Sequence, residues 1–344
     1  MRAALIRTQG GPDVLELAEI DTPKPGPAEA LIRVRACALN HLDLWTRSGR
    51  AGYAPAFPHI LGNDIAGEIA GLPAGVDTAG LAIGQRVMLQ PGTSCGRCAM
   101  CFAGDDFACR QYRILGHGRP GGYAEFVAAP LASLIPIPEG ISFENAAAFP
   151  LVFLTAWRML VVRAALKSGE DVLVWAAGSG VGMAAIQIAK LMGARVIATA
   201  GGETKLELAR HLGADVVVDH YRGDVVAEVR RLTSKKGADV VVEHTGEMTW
   251  ERSIQSLAHR GRLVTCGATS GPKGATDLRF VFSKHLSLLG SYMGSRADLL
   301  AASPHFFAGR LKTHVHAALP LERAADAHRM MEASEHFGKI VLTV

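Results

Sequence analysis

Long apolar runs, one-sided charge and scattered cysteines are all missing from this chain. No apolar stretch reaches about 18 residues, so no membrane span is expected. Lys and Arg total 36 against 32 Asp and Glu in 344 residues, for a formal net charge of +4. No Lys/Arg run stands out, so neither nucleic acid nor an anionic membrane is expected as a partner. The opening stretch MRAALIRTQGGPDVLEL carries a basic residue but no apolar core or small-residue cleavage motif, so it is not read as a secretion signal. Only two of the six cysteines lie outside residues 95–109, which argues against a disulfide framework. A reducing, cytoplasmic location is expected.

What is present is a chain too long for one ordinary core, with 49% hydrophobic and 20% charged residues, so two compact domains are expected. Up to about residue 145, short β-branched runs alternate with Gly and Pro: ALIRVRACAL, IAGEIAGL, GQRVMLQP, GGYAEFVAAP. They predict a Gly-rich, mostly antiparallel β domain. ENAAAFPLVFLTAWRMLVV then reads as a helix, and strand and helix patterns alternate regularly from EDVLVWAA onward. Such units give parallel strands joined by right-handed crossovers, hence a doubly wound α/β sheet over 146–304. TWERSIQSLAHRG is expected as a helix before the strand RLVTCGA, and HLSLLGSYMG as a sixth strand. In the tail, 305–344, a helix and a closing strand are expected to return to the first domain.

Cys95, Cys98, Cys101 and Cys109 follow C-x2-C-x2-C-x7-C within a lobe near 90–113. Four thiolates form a closed tetrahedral zinc site with no position left for water or substrate, so this metal is read as structural. The cage carries about −2, which Arg97, Arg110 and Arg113 are placed to offset. Cys37 and Cys266 are read as buried small apolar residues.

VLVWAAGSGVGMAAIQIAKLMGARVIATAGGETK has the strand–turn–helix grammar of a dinucleotide site. Gly178, Ser179, Gly180, Val181 and Gly182 make the turn and aim helix N-terminal amides at a pyrophosphate. The strict G-x-G-x-x-G is not met, because Ala177 and Ser179 stand where the first two glycines would be, counted back from Gly182. The second strand ends at Ala200, with no carboxylate to bind a ribose 2′-OH. Lys205 is placed to neutralise a 2′-phosphate, while Glu203 competes as a ribose ligand. The reading favours NADPH over NADH. His244, Thr245 and Gly246 end the fourth strand and are read as lining the cofactor cleft.

These motifs, with GND-AGE, GYAEF and GKIVL, resemble the zinc-type alcohol dehydrogenase and quinone oxidoreductase group of the medium-chain dehydrogenase/reductase superfamily. The resemblance runs along nearly the whole chain. It implies a GroES-like β domain (1–145 and 305–344) bearing the zinc lobe, and a Rossmann domain over 146–304. It also places Thr155 and Gly267 against the nicotinamide end of the cofactor. The group's alcohol dehydrogenases hold a second, catalytic zinc, and its three ligand positions fall here on Asn40, Asn63 and Leu151. No conventional catalytic zinc is expected on such residues, and the pattern is similar to that of the zinc-free quinone and enone reductases.

The resemblance implies reduction of a quinone or an α,β-unsaturated carbonyl, a small-molecule substrate. Asn40 and Asn63 are read as donors to the substrate oxygen, aided by His41. Asp43 and Asp64 orient them, and Trp45 and Leu151 line the pocket. Two rivals stay open: a zinc alcohol dehydrogenase with unconventional ligands, drawing on His59, His117, Asp43 or Asp64, and a catalytically silent nucleotide-binding protein. A homodimer or homotetramer is expected, because HLSLLGSYMG resembles the group's dimer-pairing edge strand.

Overall fold

The computed structural model describes residues 1–50 and 52–344. The chain divides into two compact units: one of 1–151, 295–300 and 313–344, the other of 152–294 and 301–312.

The first unit is built on a seven-stranded sheet. Its long central strand β1 (Glu29–Ala38) pairs antiparallel with β2 (Asp64–Gly71), which follows the helix α1 (His41–Ser48). Beyond β2 lie β3 (Arg86–Leu89) and the short β5 (Leu134–Pro136), while β4 (Phe126–Pro130) also pairs with β1. In β1 the residues Ala30, Ile32 and Val34 alternate into the core, the period-2 signal of a half-buried strand. The register Ala38↔Asp64 brings the end of β1 beside the start of β2, so the loops at 39–40 and 61–63 share one end of the sheet. A small sheet, Arg2–Ile6 with Glu16–Glu19 and His59–Ile60, packs into the same core.

The second unit holds six parallel strands: β6 (Asp171–Val174), β7 (Arg195–Ala200), β8 (Val216–Asp219), β9 (Ala238–Glu243), β10 (Leu257–Thr265) and β11 (Ser287–Gly290). Their spatial order is β8-β7-β6-β9-β10-β11, so the winding reverses between β6 and β9. The crossovers include α2 (Gly180–Leu191), α3 (Glu203–His211), α4 (Val225–Leu232) and α5 (Glu247–Ser256). Leu173, Trp175, Ile197, Val241 and Leu263 form the centre of this unit's core.

The chain's end adds β12 (Val315–Pro320), α6 (Ala324–Glu332) and β13 (Lys339–Thr343) to the first unit. β13 pairs antiparallel with β1 and parallel with β12. Behind α1, the buried Arg47 donates to Gly10 O at 3.1 Å and to His328 Nδ1 at 3.1 Å, and bonds Glu332. A guanidinium only donates, so His328 carries its proton on Nε2 and gives it to Tyr123 Oη at 3.1 Å. Burial pushes His328 down to about 3, so the ring stays neutral.

Several expectations need correction. The segment read as one helix over 144–162 is Phe143–Ala147, then Pro150–Trp157, then a π-turn over Arg158–Arg163. Taken whole, Phe143–Arg163 is long and apolar enough to cross a membrane, contrary to expectation, but 83% of its most apolar window is buried inside the protein. The helix expected through Gly261 stops at Ser256, because Leu257 and Ala258 are buried in β10 and Arg260 adopts φ +60°. Cys266 is half-buried rather than buried.

Candidate active site

One charged knot organises the loops at the end of the β1–β2 ladder. Asn40 precedes α1, and its N–H donates to Asp43 Oδ2 at 2.8 Å, so the third helical residue reaches back over the helix start. Asp43 Oδ1 accepts the Gly62 N–H at 2.8 Å, tying this turn to the one that carries Asn63 and Asp64. Burial pushes Asp43 up to about 7 against those N–H donors and Lys339. Asp64, fully buried, accepts Asn40 Nδ2–H at 2.9 Å on Oδ2 and the Leu151 N–H at 2.8 Å on Oδ1.

The cation of this knot is Lys339, which was singled out in the sequence only as part of GKIVL. It is 1% exposed, and its Nζ donates to Asn40 Oδ1 (2.7 Å), Leu39 O (2.7 Å) and Asp64 Oδ2 (3.1 Å). One lysine following a glycine at the head of an apolar strand was the available signal.

Asn40 and Leu151 are therefore brought together around the Asp64 carboxylate, and Asp43 joins them through the Asn40 N–H. Asn63, also buried, turns elsewhere: its Nδ2 donates to Leu115 O at 2.6 Å, while its Oδ1 has no partner among the described residues. Each proposed substrate donor thus has one N–H already committed to the protein. His41 and Trp45, one turn apart on α1, are half-buried with ring centres 6.3 Å apart. His59 and His117 do not join them: His59 Nε2 meets Gly116 O at 3.1 Å and His117 Nδ1 meets Thr46 Oγ1 at 2.8 Å.

In the cysteine lobe the four sulfurs lie within 4.8 Å of one another, the one such group of possible metal ligands among the described residues. Cys98–Cys101 and Cys95–Cys101 sulfur separations are 3.5 and 3.9 Å. A tetrahedron with zinc–sulfur arms of about 2.3 Å has edges of about 3.8 Å, so the residues fit a closed structural zinc. Arg97, Arg110 and Arg113 are exposed, and the groups that reach the sulfurs include peptide N–H donors and the Ser94 side chain, which lowers the Cys101 pKa. Gln111 N–H points at Cys109 Sγ at 3.3 Å, and the Arg97 N–H pulls the Cys95 thiol down to about 6.

The second unit presents its own site where the strand order reverses. After β6, Ala176 turns at φ +46° and Ser179 caps α2, its Oγ accepting the Gly182 N–H at 2.9 Å. A Cβ at Gly182 would lie 2.3 Å from Ala176 O, so helix and strand approach as closely as the third glycine of such a turn requires. Gly178, Gly180 and Val181 complete that turn. His244, following β9, reaches Ser179 Oγ with Nε2 at 2.7 Å, and Gly267 backs onto His244 O. Thr155 is buried in the helix Pro150–Trp157. Ala200 ends β7, and Lys205 is half-buried in α3. Tyr221, missed in the sequence, stands against Gly201, where a Cβ would lie 2.2 Å from its ring.

A six-stranded, doubly wound parallel sheet with a glycine turn at its switch point, in one chain with an antiparallel β unit and a cysteine cage, defines a dinucleotide-linked oxidoreductase. Comparison with known proteins gives the family. Residues 26–139 match the alcohol dehydrogenase GroES-like domain and residues 180–307 the zinc-binding dehydrogenase domain. A quinone oxidoreductase of Pseudomonas aeruginosa is 33% identical over 97% of this chain and 96% of its own length. An alcohol dehydrogenase of Geobacillus stearothermophilus is 32% identical, covering both chains fully. Among solved structures, an NAD-dependent alcohol dehydrogenase superposes with a TM-score of 0.97 at 50% identity, over 100% of both chains. The chain belongs to the medium-chain dehydrogenase/reductase superfamily, in its zinc-type alcohol dehydrogenase and quinone oxidoreductase group.

Two substitutions test this geometry. Lys339→Met leaves Asp64 buried without its cation and is expected to destabilise the protein by about 3 to 5 kcal/mol in denaturant unfolding. An effect below about 1 kcal/mol would show the pair to be dispensable. Gly182→Ala drives a methyl into the Ala176 carbonyl and is expected to cost about 1 to 3 kcal/mol and to weaken dinucleotide binding in a fluorescence titration. Unchanged binding would remove this turn from the cofactor site.

Proposed function

We propose that this oxidoreductase reduces a quinone or an α,β-unsaturated carbonyl by hydride transfer without a catalytic zinc. The residues at three positions carry the reading. At the three positions that hold the second zinc in the group's alcohol dehydrogenases, this chain offers two amides and an aliphatic side chain, Asn40, Asn63 and Leu151. The oxygen Asn40 would offer a metal already accepts from the Lys339 ammonium at 2.7 Å. That buried cation also opposes a second positive charge nearby.

Reduction of a conjugated carbonyl consumes one hydride and one proton, and the dinucleotide supplies the hydride when bound. Charge then spreads onto a conjugated oxygen, which fixed N–H or O–H donors can hold without a Lewis acid. Here the second N–H of Asn63, the amide being pinned by Leu115 O, and the His41 ring are the groups proposed to face that oxygen. Trp45, one turn beyond His41, provides the flat apolar surface such a substrate needs. Asp43 and Asp64 act through the turns they hold.

NADPH is proposed over NADH. Ala200 and the two glycines after it place no carboxylate at the end of β7. Burial lowers the His220 pKa; of the charges near it, Asp219 raises it while Arg252 and Lys205 lower it, and the two cations are the groups proposed to meet a 2′-phosphate. Glu203, the competing ribose ligand, is exposed and paired with Arg210 at 2.9 Å. A second reading, NAD-linked alcohol oxidation at a zinc, is favoured by the name of the 50%-identical structural relative. A homodimer or homotetramer is also proposed: among the described residues β11 pairs with β10 alone, and Leu278, Phe282, Leu288 and Tyr292 around it are exposed. A cytoplasmic location goes with the thiolate cage.

A substrate panel run with NADPH and NADH, together with zinc analysis, separates the readings. One zinc per chain is expected, with turnover of quinones or enones at least about a hundredfold above that of simple alcohols, and kcat/KM higher with NADPH. Two zincs per chain with alcohol turnover would establish the second reading instead. Leu288→Lys is expected to shift sedimentation toward smaller species, and an unchanged assembly would move the interface away from β11.

A further inference from the structure

The cysteine lobe has no core of its own. Among the described residues 94–108 none is buried, and Met100 and Phe102 are exposed. Its main-chain bonds turn inward: Phe102 N–H donates to Cys98 O at 3.0 Å, Gly104 N–H to Cys101 O at 3.2 Å and Cys109 N–H to Asp106 O at 3.1 Å. A segment built this way takes its rigidity from the metal its four sulfurs fit.

The Asp106 side chain leaves the lobe. Its Oδ1 accepts the Arg296 N–H at 3.0 Å, across 190 positions of the chain. Arg296 opens the helix Arg296–Phe307, and residues 295–300 belong to the same compact unit as the lobe. Asp106 is thus tied through its own carbonyl to the ligand Cys109 and through its carboxylate to a helix start.

That helix start needs partners. Ser295, Asp298 and Leu299 are buried, and the first N–H groups of a helix find no acceptor within it. Local residues serve some of them. Ser295 Oγ accepts the Asp298 N–H at 3.2 Å, Ser295 O accepts the Leu299 N–H at 3.3 Å, and Asp298 Oδ2 takes the Ser295 N–H at 2.8 Å. This reciprocal box covers the cap and the third helical residue, and the Arg296 N–H at the first position is not part of it. Asp106 supplies that acceptor from outside, and its charge suits the positive end of the helix dipole. Burial, with Asp298 adding to it, holds the Asp106 carboxyl above its ordinary value against the pull of the Arg296 N–H. The contact therefore carries a desolvation cost, and the lobe has to hold Asp106 in place.

We propose that the zinc cage works as a clasp, presenting Asp106 as an outside cap to the helix at Arg296, so that zinc occupancy sets the order of residues 295–299. The clasp depends on zinc filling the cage and is independent of the reaction proposed above. Stripped of metal, the lobe has neither core nor cross-link, and the Arg296 N–H loses its acceptor.

Hydrogen–deuterium exchange of the full chain, read by mass spectrometry on overlapping peptides across 293–299, tests this coupling. Four samples are compared, with zinc per chain measured in each: zinc-loaded wild type, wild type stripped by a chelator, and zinc-loaded Asp106→Ala and Asp106→Asn. Stripping is expected to speed exchange at Arg296 about tenfold, the size of effect a lost helix cap gives. Asp106→Ala is expected to do the same with its zinc still bound, and stripping that variant adds less than about twofold. Asp106→Asn keeps a carbonyl oxygen at the contact and is expected to stay within about threefold of wild type. Peptides over β6 are expected to be unchanged throughout, and faster exchange there as well would mean general unfolding and overturn a local clasp. Stripped wild type that keeps its Arg296 protection would overturn the coupling to zinc, whether or not the variants fold. Zinc-loaded Asp106→Ala exchanging like wild type would overturn the cap. A folded chain that takes up no zinc would overturn the cage and the clasp with it, leaving the reading of the dinucleotide site untouched.

Discussion

A buried ammonium that satisfies three acceptors at once is the constraint on which the first unit depends. Lys339 joins Leu39, Asn40 and Asp64, residues 275 to 300 positions away along the chain, at the end of a single sheet. Taking two charges out of water costs several kcal/mol per ion, and their attraction offsets this only where every remaining donor and acceptor is used. Here that condition is largely met. Asp64 also receives Asn40 Nδ2 and the Leu151 N–H, while Asp43 takes the N–H groups of Asn40 and Gly62. The chain's last strand therefore closes the sheet and at the same time fixes the two turns that carry Asn40 and Asn63.

The second unit is proposed to receive the cofactor's anionic pyrophosphate at its glycine turn. That turn is shaped by backbone: a residue in left-handed geometry at Ala176, a close approach at Gly182 and a serine cap over the first turn of α2. Free N–H groups and the helix dipole at such an N-terminus favour a phosphate. The buried carboxylate of Glu243 then holds the neighbouring turn, so the histidine beside the serine does not depend on loop flexibility for its position.

Much of this architecture was legible in the sequence where the signal is local. The regular beat of apolar runs and amphipathic helices gave the parallel sheet, and the spacing of four cysteines gave the cage, because both are encoded within a few residues. The strand Val315–Pro320 was not legible: its alternation rests on Val315, Ala317 and Leu319, too weak without the parallel partner Lys339–Thr343. Leu257–Gly261 looked helical because its apolar residues fit either period, and only burial against the parallel sheet decides for a strand. At the candidate site, Asn40, Asp43 and Asp64 were picked out, but their common partner was not. Lys339 lies too far along the chain for any spacing rule, and only the register Leu342↔Cys37 brings it there.

The central claim is that the tightly held metal sits in sulfur alone and that hydride transfer proceeds without a second one. X-ray absorption at the zinc edge of the protein as purified, with a reducible substrate and the dinucleotide present, tests it most directly. The account predicts a first shell of four sulfurs at about 2.3 Å with no nitrogen or oxygen neighbours. A mixed shell with nitrogen or oxygen at about 2.0 Å, altered when the substrate is added, would contradict it.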